Sequence, residues 1–195
     1  MLFASYVTVK VRASHRLNTV SYEASETTTE YSARRISVST PASLRDLRRS
    51  LEDLVPALDL DGLPDPAAEA AGWDALRRGA EAAALYGLCR VATNDPGRLM
   101  RLAGSGTDSV SYLLGSLTIQ ARLFRYDPAT MVHFPLRLEM HAGRRGGTVL
   151  TFEQPGVQLA GFGINKVTQA GFELDRLLGD LLEAMDLPRP AALRR

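Results

Sequence analysis

The stretch LRLEMHAGRRGGTVLTFE, residues 136–153, decides the fold. Leu136, Leu138 and Met140 alternate with Arg137, Glu139 and His141, and Leu150 and Phe152 continue the pattern after Gly146-Gly147. An apolar period of two is that of a strand with one face dry and one wet. A glycine pair between two such runs supplies the turn of a β-hairpin.

Working outward, Leu174, Leu177, Leu178, Leu181, Leu182 and Met185 recur at helical spacing, and Pro188 closes that helix. Upstream, Val110, Tyr112 and Leu114 alternate as a strand. Residues 117–126 have helical spacing through Leu117, Ala121 and Phe124. Residues 88–93 read as a strand, Asn94-Asp95-Pro96-Gly97 as a turn, and 98–103 as a short helix. A strand at 35–39 carries Ile36 and Val38 on one side. Thr40-Pro41 then reads as cap and first residue of a helix with Leu44, Leu47, Leu51, Leu54 and Val55 on one stripe, ending near Pro56. A second helix starts at Asp65-Pro66, carries Trp73, Leu76, Ala80 and Ala83 on one face, and stops before Gly87. Amphipathic helices on one face of a sheet that ends in an antiparallel hairpin make an α+β fold.

The predicted organisation is an N-terminal extension and connector over 1–33, a single domain over 34–188 and a frayed tail over 189–195. In the extension, Val7, Val9 and Val11, then Val20 and Tyr22, alternate as a hairpin over 6–23, and the polar stretch 25–32 connects it onward. The apolar face of that hairpin must pack either on its own domain or on a partner copy, the second making a homodimer.

Composition excludes several functions. The chain has 195 residues, 45% hydrophobic and 23% charged, which allows a packed core without staples. A net charge of +1 leaves no electrostatic footprint for nucleic acid or an anionic membrane surface. Lys10 and Lys166 are the only lysines; with abundant alanine, leucine and glycine this is the usage of a GC-rich bacterial genome. One cysteine, Cys89, permits no internal disulfide and no thiolate cluster, and in its apolar run it reads as a buried thiol. No secretory leader and no membrane-length apolar run is present, so a cytoplasmic protein is expected.

Residues 110–128, VSYLLGSLTIQARLFRYDP, and 133–143, HFPLRLEMHAG, resemble the bacterial family named domain of unknown function 302. The resemblance rests on Tyr112 and Gly115, on Arg125, Asp127 and Pro128, and on Pro135-Leu136-Arg137. Gln154-Pro155, Phe162-Gly163 and Glu173-Leu174-Asp175 follow in the same order, and coverage is about residues 34–187. The chain departs from the family pattern at Ser116-Leu117, in place of Asn-Pro, and at Tyr126, in place of histidine. The resemblance implies a TATA-binding-protein-like α+β fold and no particular activity.

Candidate chemistry is sparse. His133 and His141 flank one strand about 26 Å apart, too far to share a metal ion, so neither a metal nor a cofactor is expected. The glycines at 143–147 and 161–163 are loop glycines rather than a phosphate fingerprint. Ser116, at a strand-to-helix turn, reads as a helix N-cap. Two polar sets are candidates for ligand binding. Arg137, Glu139 and His141 face away from the helices, with Arg90, Thr151 and Glu153 expected beside them. Arg122, Arg125, Tyr126 and Asp127 end one helix, where arginine suits carboxylates and phosphates. With Tyr112, the candidate ligand-binding residues are Arg90, Tyr112, Arg122, Arg125, Tyr126, Arg137 and Glu139. Three functions stay open: a small-molecule-binding protein, non-catalytic or weakly catalytic; a homo-oligomeric interaction protein; or a biosynthetic enzyme using acid–base residues such as Glu139 or Asp127.

Overall fold

The structure is a computed structural model that describes residues 25–58 and 69–194. The hairpin expected at 6–23 and the helix start expected at Asp65-Pro66 lie outside the described residues. The chain divides into two units, Met1–Ser32 and Ala33–Arg195. Of the first, residues 25–32 are exposed and without regular secondary structure.

The second unit runs β1 (Arg35–Thr40), α1 (Leu44–Leu54), α2 (Glu69–Ala83), β2 (Cys89–Asn94), α3 (Pro96–Leu102), β3 (Ser109–Gly115), α4 (Leu117–Tyr126), a 3-10 turn (Pro128–His133), β4 (Leu136–Ala142), β5 (Thr148–Glu153), α5 (Pro155–Ala160), α6 (Asn165–Ala184) and a last 3-10 turn (Ala191–Leu193). The five strands form one sheet in the order β1-β5-β4-β3-β2, every neighbouring pair antiparallel. The α+β reading is therefore correct. At the β4–β5 turn Gly146 and Gly147 have φ of 88° and 70°, and a Cβ on Gly147 would run into the carbonyl oxygen of Thr40.

The dry face of the sheet carries Ile36, Val38, Val110, Tyr112, Leu114, Leu136, Leu138, Met140, Leu150 and Phe152. Leu47 and Leu51 of α1, Ile119 and Leu123 of α4, and Val167, Leu174, Leu178, Leu181 and Leu182 of α6 share one core with it. The wet face pairs across strands: the hydroxyls of Ser37 and Thr151 lie 3.1 Å apart, and Ser111 donates to Glu139.

Five local expectations need correction. First, α1 starts three residues after Pro41. Thr40 still belongs to β1, and the cap is Ser43, whose Oγ accepts from Asp46 N while donating to Asp46 Oδ2 at 2.6 Å. Second, α4 turns Ile119 and Leu123 inward, leaving Phe124 55% exposed. Third, α5 was not anticipated. Fourth, the tail does not fray at 189: Leu193 is buried, and the carbonyl of Ala192 accepts from the buried Gln154 side chain at 2.9 Å. Fifth, Arg90 is on the opposite face from the one expected. The register of β2 shifts between Arg90 and Ala92, so Arg90 stands opposite the inward Leu114. A bulge breaks the alternation on which the expectation rested. The segment after α1 runs alongside, with Arg90 N donating to Pro56 O at 2.7 Å and Leu58 N donating to Arg90 O at 2.8 Å.

Residues near the C-terminus that carry the sequence resemblance, Gln154 and Asp175 among them, build a buried polar knot. Asp175, on α6, accepts from Gln154 Nε2 at 2.6 Å and from Gly156 N, at the start of α5, at 2.9 Å. Arg34 Nη1 donates to Gln154 Oε1 at 3.0 Å. The knot needs α5 and α6 very close: a Cβ on Gly171 would lie 2.9 Å from the Cα of Gly156.

Candidate functional site

The seven candidate ligand-binding residues do not converge. Arg90 and Tyr112 lie under α1, where Arg90 Nε donates to Val55 O at 2.8 Å and the Tyr112 hydroxyl donates to Glu52 Oε1 at 3.0 Å. Burial, with the Glu52 carboxylate beside it, holds the Tyr112 phenol well above its usual range. Both residues brace α1 against the sheet. Arg122, on α4, pairs with Glu173 on α6. Arg125 and Tyr126 are exposed at the end of α4, and Asp127 caps the following 3-10 turn by accepting from Ala129 N at 2.8 Å. Arg137 lines a shallow depression of about 290 Å³ on the wet face with Ala92, Asn94, Ser111 and Leu113. Glu139 lies on that face as well, engaged by Ser111.

A different set of polar groups meets at the corner where β2 begins and β3 ends. A cleft of about 220 Å³ is lined there by Glu81 of α2, Cys89 of β2, Ser116 between β3 and α4, Thr118 of α4 and Glu173 of α6, with Ala84, Ile119 and Leu177 among its apolar lining. Gly87, in the bend between α2 and β2, has φ of 67°, and Gly115 closes β3 against Cys89 and Val91. Their lack of side chains keeps the corner open.

Each polar group in the cleft has a defined state. Thr118 Oγ1 donates to Glu81, and that bond is the first of the causes holding the Glu81 carboxyl below its usual range; Arg77, donating at 2.8 Å, adds to it. The Cys89 thiol donates to Gly115 O at 3.3 Å, and burial pushes its pKa up. Ser116 occupies the N-cap position of α4 as expected, but its hydroxyl does not cap the helix, and among the described residues it makes no hydrogen bond although the residue is only 8% exposed. Sequence reasoning marked Ser116 and Cys89 as structural, named Glu173 only within the resemblance, and passed over Glu81 and Thr118. Only Ser116, a strand-to-helix serine, gave a local signal. Near neutral pH a protonated, enclosed thiol is a poor nucleophile. Cys89 in the folded protein is therefore expected to react with a disulfide reagent at pH 8 at least about tenfold more slowly than in urea; equal rates would show the corner to be open.

His141 Nδ1 lies 3.3 Å from Ala142 O, and His133 stands edge-on to Phe162 with ring centroids 5.9 Å apart. No cluster of three or more metal-ligating side chains occurs among the described residues. Among them, too, no helix is long and apolar enough to cross a membrane.

The fold defines the class: an antiparallel five-stranded α+β domain in which α1, α4, α5 and α6 share one core with the dry face of the sheet. No protein-family model matches the sequence, and no curated protein does. Among solved structures the chain is similar to an uncharacterized conserved protein DUF302 from Bacillus stearothermophilus. The TM-score is 0.53 at 12% sequence identity, covering 78% of this chain and 97% of the other. At that identity the likeness establishes the fold, and it is the fold that the sequence resemblance implied.

Proposed function

We propose that the protein binds a small molecule in the Glu81–Cys89–Ser116 cleft. The observation that carries this reading is Ser116: a hydroxyl in a residue 8% exposed, without a partner among the described residues, lining a cleft in which four other polar side chains meet. A hydroxyl that faces the cleft without a protein partner is free to pair with a bound molecule. A concave, largely apolar site with few convergent polar groups is the usual form of a small-molecule pocket. The catalytic alternative placed its acid–base chemistry on Glu139 or Asp127, and neither lines this cleft. The test is a nuclear magnetic resonance footprint of the full chain against its own co-purified metabolites. Shifts at the Gly115–Ile119 amides are expected; shifts confined to the wet face around Arg137 would move the site there.

Self-assembly is the second reading. It is supported by an apolar groove of about 310 Å³ between α2 and α4, lined by Trp73, Leu117, Gln120, Ala121 and Phe124, with Trp73 39% and Phe124 55% exposed.

A further inference from the structure

We infer that the chain docks on an anionic lipid surface through α3 and the β4–β5 turn, lying on the surface without crossing it. The helix α3 is turned inside out. Its buried residue is Gly97, where a Cβ would lie 2.5 Å from Ser109 N of β3. Its large apolar side chains point away from the sheet: Leu99 is 61% exposed, Met100 44% and Leu102 87%. At about 100° per residue the three fall within an arc of roughly 160°. Arg98 borders that arc, and Arg101 behind it pairs with Asp108. A helix in a folded domain ordinarily turns such an apolar face into the core, but none of these three side chains joins it. Every residue from Arg98 to Asp108 is exposed, so the helix and the loop after it project from the sheet. An exposed apolar cluster of this kind marks a contact surface.

The arginines decide what covers this surface. Ser109 stands opposite His141, and Ala142 N donates to Asp108 O at 2.9 Å, so the β4–β5 turn lies at the same end of the sheet as α3. Arg144 and Arg145 are exposed on that turn. Neither they nor Arg98 have an ion-pair partner among the described residues. Across residues 95–108 and 143–147 four arginines stand against two aspartates, Asp95 and Asp108, an excess that the whole-chain charge of +1 conceals. An apolar tip beside unpaired guanidinium groups fits the interface of an anionic bilayer. The leucines and Met100 enter the acyl boundary, while the arginine stems lie along it with their heads at the phosphates. A protein partner needs a socket shaped for three projecting side chains and acids placed for the arginines; a fluid anionic surface supplies both without a preformed shape. The contact leaves the cleft open, because α3 follows the end of β2 and the cleft lies where β2 begins, about 20 Å away along a strand of 6 residues.

The experiment sediments the full chain with vesicles of phosphatidylcholine alone and of phosphatidylcholine mixed with phosphatidylglycerol. Binding to the mixed vesicles is expected, with binding to the neutral ones at least about tenfold weaker and the difference shrinking as salt is added. The double variant Leu99→Asp/Leu102→Asp is expected to bind the mixed vesicles at least about tenfold more weakly than wild type, and Arg144→Glu/Arg145→Glu likewise. Leu85→Asp makes the same chemical change at a leucine 85% exposed between α2 and β2, at the other end of the sheet, and is expected to bind as wild type does. All these side chains are exposed, so the variants are expected to fold, and thermal melts check that they do. A wild-type chain that stays in solution with the mixed vesicles overturns the proposal. So does equal binding to neutral and mixed vesicles, or undiminished binding of Leu99→Asp/Leu102→Asp. If the wild type binds neither vesicle and light scattering finds it dimeric but Leu99→Asp/Leu102→Asp monomeric, the surface is an interface between copies and the lipid assignment falls.

Discussion

Asp175→Ala is expected to lower the unfolding free energy by about 3 kcal/mol, moving the thermal midpoint of a chain this size down by roughly 6–12 °C. Asp175 is 4% exposed, yet its two oxygens accept from Gln154 Nε2 and Gly156 N. Truncation leaves the amide at the start of α5 buried without an acceptor, and that group can reach no water in compensation. Gln154 keeps its bonds to Ala192 O and from Arg34, but loses the charge-assisted one to Asp175. Asp175→Asn preserves volume while presenting an NH₂ to one of two donors, so it should also destabilise. The contrast is Asp180 on the same helix, one-third exposed and paired with Arg189 and Arg176. Its replacement by alanine is expected to cost no more than about 1 kcal/mol, the range of solvent-exposed ion pairs. Urea unfolding of the three variants measures the difference. Equal midpoints for Asp175→Ala and wild type would mean that the knot contributes nothing to stability.

Leu178→Ala is expected to cost about 2–5 kcal/mol, as is Leu181→Ala. Both side chains are at most 2% exposed, in the C-terminal half of α6, and Leu174 and Leu182 beside them are equally enclosed. Methyl groups deleted there leave a void bounded by a sheet on one side and a 20-residue helix on the other, neither of which can close in freely. Leu85 provides the comparison: at 85% exposure its replacement by alanine should leave the melt within about 0.5 kcal/mol of wild type. If Leu178→Ala and Leu85→Ala melted alike, α6 would not be the central core helix.

The strands of the sheet were legible because alternation is a local signal. Val110, Tyr112 and Leu114, and Leu136, Leu138 and Met140, each declare their inward face without reference to any other element. The same logic misplaced Arg90, because a bulge depends on the partner strand and leaves no mark in the bulged one. The start of α1 was misread for another reason. Thr40-Pro41 satisfies a generic start signal, whereas Ser43 and Asp46 form a reciprocal cap that the Ser-Leu-Arg-Asp spacing does carry. The six residues of α5 are too few for periodicity to show. The cleft was the least legible feature. Glu81 with Cys89, Ser116 and Glu173 come from three stretches far apart in sequence, so no spacing rule joins them. What revealed Ser116 is an unmade hydrogen bond, which only a folded chain can display.

The two walls of that cleft are unequally held. One wall, formed by the end of β3 with α4 and α6, is anchored by Leu114, Ile119, Leu123, Leu174 and Leu178, all at most 2% exposed. The other is α2, in which every residue from Trp73 to Ala83 is exposed or only half-covered. Segments that bury little separate from their neighbours at a small fraction of the global unfolding free energy. Of the two walls, α2 is therefore the one expected to separate first, about Gly87, while the end of β3 with α4 and α6 holds its place. For an occupant of the proposed site, entry and escape would then depend on how firmly α2 sits and orientation on the better-packed wall, two quantities that substitutions could change separately.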